Sequence, residues 1–388
     1  MPSSSPSGTD TTENTRAWLY LLRAGIGASA LRRMVETHAS AAAALESPDA
    51  EWRAVGADTD AMAALRSHDH GVPAGDYAWV DVADHHLIGW DDPDYPALLR
   101  RIPSPPPALF IAGDPNLLWH PQVAVVGSRN ATAGGLDNAR DFSRALIAAG
   151  LTITSGMAEG VDAAAHLAAL DAGAPTIAVV GTGTDVVYPR RHAKLAARIR
   201  ASGAIVSEFL PGTEARPEFF PRRNRILAGL SLGTLVIEAA ERSGALITAR
   251  LAGDAGREVF AVPGSIHNPL ARGCHRLIRQ GAALVEDARE VIEALAPVAA
   301  ELADALRTRL RDGSDTAAPA AIAGVQQLGA DQRELLDALG HDPVGIDQLT
   351  ERTGLTVAEL SSMLLVMELH GLVAAEHGRY SRKVTSDP

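Results

Sequence analysis

From residue 121 onward, short apolar runs alternate with helically spaced stretches. The apolar runs fall at 123–126, 151–154, 176–180, 204–207, 234–237 and 258–262, and each is four or five residues long. Between them, 136–149, 160–172, 192–201, 222–230 and 245–255 carry apolar residues at helical spacing. Continuous apolar strands separated by helices predict a parallel sheet covered on both faces. The pattern before residue 121 is different. Residues 16–72 are rich in Ala and Leu, with Trp18, Leu19, Leu22, Leu31, Met34 and Val35 at helical spacing, interrupted at Gly25-Ile26-Gly27. That interruption fits a helix-helix corner, or a hairpin whose amides meet a phosphate. Residues 73–120 read as a connector stiffened by Pro103, Pro105, Pro106 and Pro107, and residues 1–15 as a disordered tail.

The C-terminal part carries its own pattern. Residues 296–328, rich in Ala, Pro and Asp, read as a linker, and 329–388 as a separate small domain. Within that domain 332–339 is amphipathic. Residues 346–351, a turn at Thr353-Gly354 and 356–370 then suggest a helix-turn-helix, with 372–373 and 379–380 as strands of a wing. The candidate recognition helix 356–370 holds Glu359 and Glu368 and no Lys or Arg, which favours a protein-interaction or regulatory module over a DNA reader.

Charge locates any polyanion site more sharply than it identifies one. The 388 residues carry a formal net charge of -12. Residues 1–119 hold 8 basic and 16 acidic side chains, 120–295 hold 19 and 17, and 296–388 hold 8 and 14. Only the middle is positive, so a polyanion is expected there. The one cysteine, Cys274, excludes an internal disulfide and a cysteine-based zinc site. No apolar run is long enough to span a bilayer and the first residues lack a signal-peptide pattern, so a cytoplasmic protein is expected.

Nearly every predicted strand ends in a polar or glycine-rich loop. These are Gly127-Ser128-Arg129; Ser155-Gly156 running on to Asp162; Gly181-Thr182-Gly183 followed by Tyr188-Pro189; Glu208 leading to Pro211-Gly212; Glu238 with Ser243-Gly244 and Thr248; and Pro263-Gly264. A rim of backbone amides at one sheet edge suits phosphate. Neither the dinucleotide G-x-G-x-x-G nor a Walker A loop is present. Phe219-Phe220-Pro221-Arg222-Arg223-Asn224-Arg225 adds rings on which a base can stack and guanidinium forks for phosphate. Asp162 and His166 stand four apart on a predicted helix as a local pair. Glu208 and Glu238 are rim acids for which capping or an arginine salt bridge is an equal explanation, and His192, His267 and His275 show no metal-ligand spacing.

The elements GSR (127–129), SGMAEGVDAAAH (155–166), GTGTDVVYP (181–189), SEFLPG (207–212), FPRRNRILAGLS (220–231), VIEAAERSGALITA (236–249), GREVFAVPG (256–264) and GCHRLIRQGA (273–282) together resemble the bacterial DNA-processing protein A (Smf) family. The resemblance implies an α/β protein with three parts. These are an N-terminal helical domain like a sterile alpha motif, an extended Rossmann-like parallel core and a C-terminal winged helix. It implies no enzyme and no cofactor, but a recombination mediator that binds single-stranded DNA, loads the RecA recombinase in natural transformation, and dimerises through roughly 235–290. It places Ser128 and Arg129 at DNA phosphates, Phe220 under a base, and Arg222, Asn224 and Arg225 in or beneath the same pocket, with bracing of neighbouring loops the alternative for Asn224 and Arg225. Gly127, Ser155, Gly156, Gly181, Gly183, Ser243, Gly244 and Thr248 complete the expected nucleic-acid-binding set. His192 and His275 stand where the family pattern leads one to expect Asn. The alternative is a nucleotide-processing enzyme of the lysine-decarboxylase-like phosphoribohydrolase group. There a glycine loop precedes a catalytic Glu, as Gly233-Thr234 precedes Glu238, but Ser231 and Leu232 replace two expected glycines.

Overall fold

The structure, a computed structural model, describes residues 8–67, 72–299 and 302, together with parts of 335–382. The chain divides into two compact units, Met1–Ala303 and Asp304–Pro388. In the first, helices α1 (Gly8–Arg23), α2 (Ala28–His38), α3 (Ala41–Leu45), α4 (Asp49–Ala54) and α5 (Thr59–Arg66) pack around Trp18, Leu21, Leu31, Met34 and Trp52. Helix α1 starts at Gly8, so the tail expected over 1–15 already gives way to helix there. The glycine interruption is a corner between α1 and α2, with Gly25 at φ +76° in the left-handed region.

The connector expected over 73–120 is structured, and this is a correction. It holds α6 (Ala74–Val80), β1 (His85–Gly89), α7 (Ala97–Arg100) and β2 (Ala108–Gly113). Every residue of β2 is buried. Strand β2 pairs antiparallel with β1 and with β6 (Ala204–Ser207), which adds two strands to one edge of the sheet. The prolines at 103–107 mark only the short approach to β2.

The core follows the predicted alternation. Its elements are β3 (Gln122–Val126), α8 (Ala133–Ala148), β4 (Thr152–Ser155), α9 (Val161–Asp171), β5 (Thr176–Val179), α10 (Ala193–Ser202), β6, α11 (Phe219–Leu230), β7 (Gly233–Val236), α12 (Gly244–Asp254), β8 (Glu258–Ala261), α13 (Arg272–Arg279) and β9 (Ala283–Leu284). The nine strands run in the order β1-β2-β6-β5-β4-β3-β7-β8-β9, and the pairs from β6 to β9 are all parallel. Strand order reverses at β3, which has β4 on one side and β7 on the other. At such a switch point the loops leaving the strand ends diverge and open a crevice.

In the second unit, Val344–Gly345 (β10), Val373–Glu376 (β11) and Arg379–Arg382 (β12) form an antiparallel sheet in the order β10-β12-β11. A helix spans Ile346–Thr353, and Leu335, Leu339, Val344, Leu349, Leu360, Leu364 and Val373 form the core. The wing strands therefore exist, each longer than its sequence pattern. Apart from isolated positions, the helices expected over 332–339 and 356–370 and the linker beyond 302 lie outside the described residues.

Candidate functional site

The switch point holds a cleft of about 510 Å³, lined by the loops after β3 and β7 and by the start of α11. Gly127 lets the β3 loop lie flat there, since a Cβ would stand 2.6 Å from Val161 Cγ2 and 3.0 Å from the Glu238 carbonyl oxygen. Ser128 is nearly buried and its Oγ accepts from the Asn130 amide at 3.1 Å. Arg129, the next residue, is exposed and lines the cleft. Across from it, Ser243 caps α12 by accepting from the Ala245 amide at 3.2 Å, and Gly244 and Thr248 line the wall behind. A helix start aims unpaired N–H groups outward and favours an anion.

Two aromatic rings stand at the mouth. Phe220, in the first turn of α11, lies 5.2 Å from Tyr188 between ring centroids, and Tyr188 is 45% exposed. The Arg129 guanidinium carbon sits 5.8 Å from the Phe220 centroid. A smaller cavity of about 80 Å³ continues between Arg129, Gly156, Glu159, Tyr188, Phe220 and Arg223. Planar rings beside a guanidinium and backbone amides offer a base and its phosphate adjacent places.

The floor is a buried charge. Arg223 is 6% exposed, donates to Asn224 Oδ1 at 3.0 Å, and is also hydrogen-bonded to the Val179 carbonyl. Desolvation lowers its pKa to about 10, with Asp162 opposing the shift. Burial raises Asp162, while Arg223 and the hydrogen bonds from Ala158, Gly156 and Ser155 pull it down. Gly156 is required above this guanidinium, because a Cβ would meet Arg223 Nη2 at 2.1 Å. Met157 follows in the left-handed region at φ 57°, and its carbonyl is held by His192 Nδ1 at 3.0 Å. Each partner in this floor limits where the Ser155–Asp162 loop can lie.

Of the expected residues, Gly127, Ser128, Arg129, Phe220, Asn224, Ser243, Gly244 and Thr248 line the one cleft, and Gly156 borders the smaller cavity. Five others line neither space. Ser155 is fully buried and its hydroxyl donates to the Val125 carbonyl at 2.6 Å, tying β4 to β3. Gly181 backs the ring of Phe220, whose Cδ1 would lie 3.2 Å from an added Cβ. Gly183 donates to the Thr213 carbonyl at 2.9 Å and so fixes the loop after β6. Arg225 is a brace: its guanidinium forks onto Glu208 at 2.6 and 2.7 Å and donates to the Ser104 carbonyl at 2.8 Å. Arg222 is exposed outside the cleft, one nitrogen 3.1 Å from Glu208.

The cleft lining also holds Arg223, Tyr188 and Asp162, which stand in the rim loops and the Phe-Arg run of the sequence but outside the expected binding set. Arg223 stands in the same Phe-Arg run, between Arg222 and Asn224, and only its burial in the helix sets it apart from the neighbouring arginines. The expected Asp162–His166 pair does not form. His166 is buried and donates from Nδ1 to Thr176 Oγ1 at 2.8 Å, that hydroxyl spending its own proton on the Ile153 carbonyl at 2.7 Å. Burial pushes His166 down to about 3, with Arg223 and His192 adding repulsion. Glu238 receives the Thr132 amide at 2.9 Å, the Thr132 hydroxyl at 2.7 Å and Asn268 Nδ2 at 3.1 Å. Its carboxylate is thus occupied in holding the start of α8. Among the described residues no group of three His, Cys, Asp or Glu could hold a metal, and no helix is long and apolar enough to cross a membrane.

An extended Rossmann-like sheet with an arginine-bearing cleft at its switch point, followed by a winged unit, defines an α/β protein of the doubly wound class. The chain belongs to the DNA processing protein A family. The family model described as DNA recombination-mediator protein A matches residues 86–296, and that of the DprA winged helix domain matches 316–379. Protein Smf of Escherichia coli (strain K12) is 43% identical over 307 residues, which is 78% of this chain and 79% of that protein. The DNA processing protein DprA of Streptococcus pneumoniae is 46% identical over 201 residues, 52% of this chain and 71% of its own length. The X-ray structure of DNA processing protein A from Streptococcus pneumoniae superposes with a TM-score of 0.64 at 33% identity, covering 75% of this chain and 98% of that one. The Helicobacter pylori protein, solved for its single-stranded DNA binding mode, gives 0.50 at 27% identity, covering 55% and 96%.

Proposed function

We propose that this protein binds single-stranded DNA in the switch-point cleft and acts as a recombination mediator, protecting incoming strands and loading RecA onto them during natural transformation. The observation that carries the reading is the Tyr188–Phe220 ring pair beside Arg129, at the mouth of a cleft walled by a helix start. Bases stacked inside a duplex cannot reach rings set at a cleft mouth, whereas an unpaired strand can splay its bases onto them. Arg129 and the amides at the start of α12 supply the phosphate contacts, and Ser128 and Asn224 line the same wall. Arg222, exposed beside Phe209, is a further phosphate contact at the margin. Membership of the family supports the remainder of the proposal: delivery to RecA, a homodimer through the core near 235–290, and a cytoplasmic setting.

The test is fluorescence anisotropy with single- and double-stranded oligonucleotides across salt. Arg129→Ala should weaken single-strand binding for every sequence and flatten the log–log salt slope by about 0.7, one phosphate's worth. Tyr188→Ala should cost about 1–3 kcal/mol, one base's stacking, with the slope unchanged. Parental affinity in both variants would refute the assignment of the cleft. Mediation is tested by RecA filament nucleation on single strands, which the protein should accelerate and the Arg129→Ala variant should not.

A further inference from the structure

Phe219 and Phe220 are neighbours in the sequence, yet they serve different spaces. Phe220 faces the main cleft, whereas Phe219 lines a second cavity of about 530 Å³ together with Arg23, the 211–215 loop and Arg216. The same division holds one step earlier, where Pro217 lines the cleft and Arg216 the second cavity. Residues 216–220 are therefore a ridge between two hollows, with an aromatic ring on each side.

The second side is built as a stack. Phe219 lies on Phe209 with centroids 4.3 Å apart and planes 29° from parallel. The Arg216 guanidinium carbon is 5.6 Å from the Phe219 centroid, and that of Arg222 is 5.3 Å from Phe209. Arg222 is held by Glu208, but Arg216 is exposed and has no ion-pair partner among the described residues. The cavity wall is rigid: Asp185 holds the Gly212 amide at 2.9 and 3.0 Å, and the Thr213 hydroxyl donates to the Leu210 carbonyl at 2.6 Å. On the far wall Arg23 is already neutralised by two 2.7 Å bonds to Asp76. With Glu214 opposing Arg216, the hollow carries little net charge and suits a neutral planar group better than a phosphate.

We infer that the Arg216–Phe219–Phe209 stack is a second base-binding subsite, which a single strand reaches by crossing the 216–220 ridge out of the main cleft. This rests on the reading of that cleft as a single-strand site. A strand long enough to cross the ridge places a base against the Arg216 plane and extends the aromatic stack by one layer.

The experiment is anisotropy with oligothymidylates ranging from about 4 to about 16 nucleotides, the span of ordinary single-strand sites. Arg216→Ala and Phe219→Leu should bind the shortest strand like the parent and the longest about 5- to 150-fold more weakly, the range of one stacked base. Arg216→Lys, which keeps the charge and loses the plane, should follow Arg216→Ala. Parental binding of every length by Arg216→Ala would overturn the proposal. Equal loss at every length, or full rescue by Arg216→Lys, would do so too, the latter by showing a charge contact instead. Because Arg216 is exposed, its variants stay informative if Phe219→Leu fails to fold. Failure of the main-cleft reading looks different, since Arg129→Ala would then bind all lengths like the parent.

Discussion

Glu208 should contribute more to the stability of the core than any other rim carboxylate, although it lies among residues expected to bind ligand. Its side chain is 1% exposed and receives three guanidinium nitrogens, two from Arg225 at 2.6 and 2.7 Å and one from Arg222 at 3.1 Å. The Arg225 side chain is 15% exposed and that of Arg222 54%. Burial separates the two contributions. The Arg222 contact is screened by solvent and contributes at most about 1 kcal/mol. The Arg225 fork is a bidentate pair, and removing one partner leaves the other charge enclosed, at a cost of about 3–5 kcal/mol. Glu208→Ala should therefore lose about 3–5 kcal/mol in urea denaturation and lower Tm by roughly 5–15 °C. Arg225→Ala should lose a similar amount and Arg222→Ala less than about 1 kcal/mol. The double variant Glu208→Ala with Arg225→Met should be more stable than the sum of its parts predicts, since neither charge is left stranded. If Glu208→Ala cost no more than Arg222→Ala, the brace would be no more than a surface contact and the division between Arg222 and Arg225 would fail.

Other variants address the loops and the buried groups. Gly160→Ala meets a left-handed φ of +74° and a Ser128 carbonyl oxygen 2.2 Å from the new Cβ. It should displace the Gly127–Arg129 loop, so that oligonucleotide affinity falls while far-ultraviolet circular dichroism stays near the parent's. His166, held near 3 against an ordinary 6.5, stays neutral in the folded protein while the unfolded chain takes up a proton. Stability should therefore fall as pH drops from about 6.5 towards about 3, by up to about 1.36 kcal/mol per pH unit from this group. His166→Gln should flatten that limb of a urea series, and an unchanged slope would show that His166 does not govern it. Glu238→Ala should cost about 1–3 kcal/mol by leaving the Thr132 amide and hydroxyl unpaired. Neither parent nor variant should release free base from nucleoside monophosphates; release by the parent that the variant loses would restore a hydrolytic role for Glu238.

What could be read in advance divides along physical lines. The parallel core was legible because strands buried on both faces are written as unbroken apolar runs, and Val123–Val126 or Thr176–Val179 leave no other explanation. Strand β2 was equally apolar, but the prolines before it and the absence of a crossover helix hid its place in the sheet. An antiparallel edge strand needs no such helix. The rim glycines were found by their position after strands, yet position alone does not separate contact from support. Gly127 and Gly181 follow β3 and β5 in the same way, but one lines the cleft and the other backs a ring. The arginines show why a residue list from sequence overstates a site. Arg222, Arg223 and Arg225 share one helical stretch, but about 100° per residue turns them to different surroundings. Arg222 emerges to solvent, Arg223 lies beneath the floor, and Arg225 meets Glu208 and the Ser104 carbonyl. In a positive segment it is natural to count all three as phosphate ligands. Two instead hold protein acceptors, so a strand bound as proposed would meet Arg129 at the cleft mouth, Arg216 on the ridge, and Arg222 to the extent that Glu208 releases it.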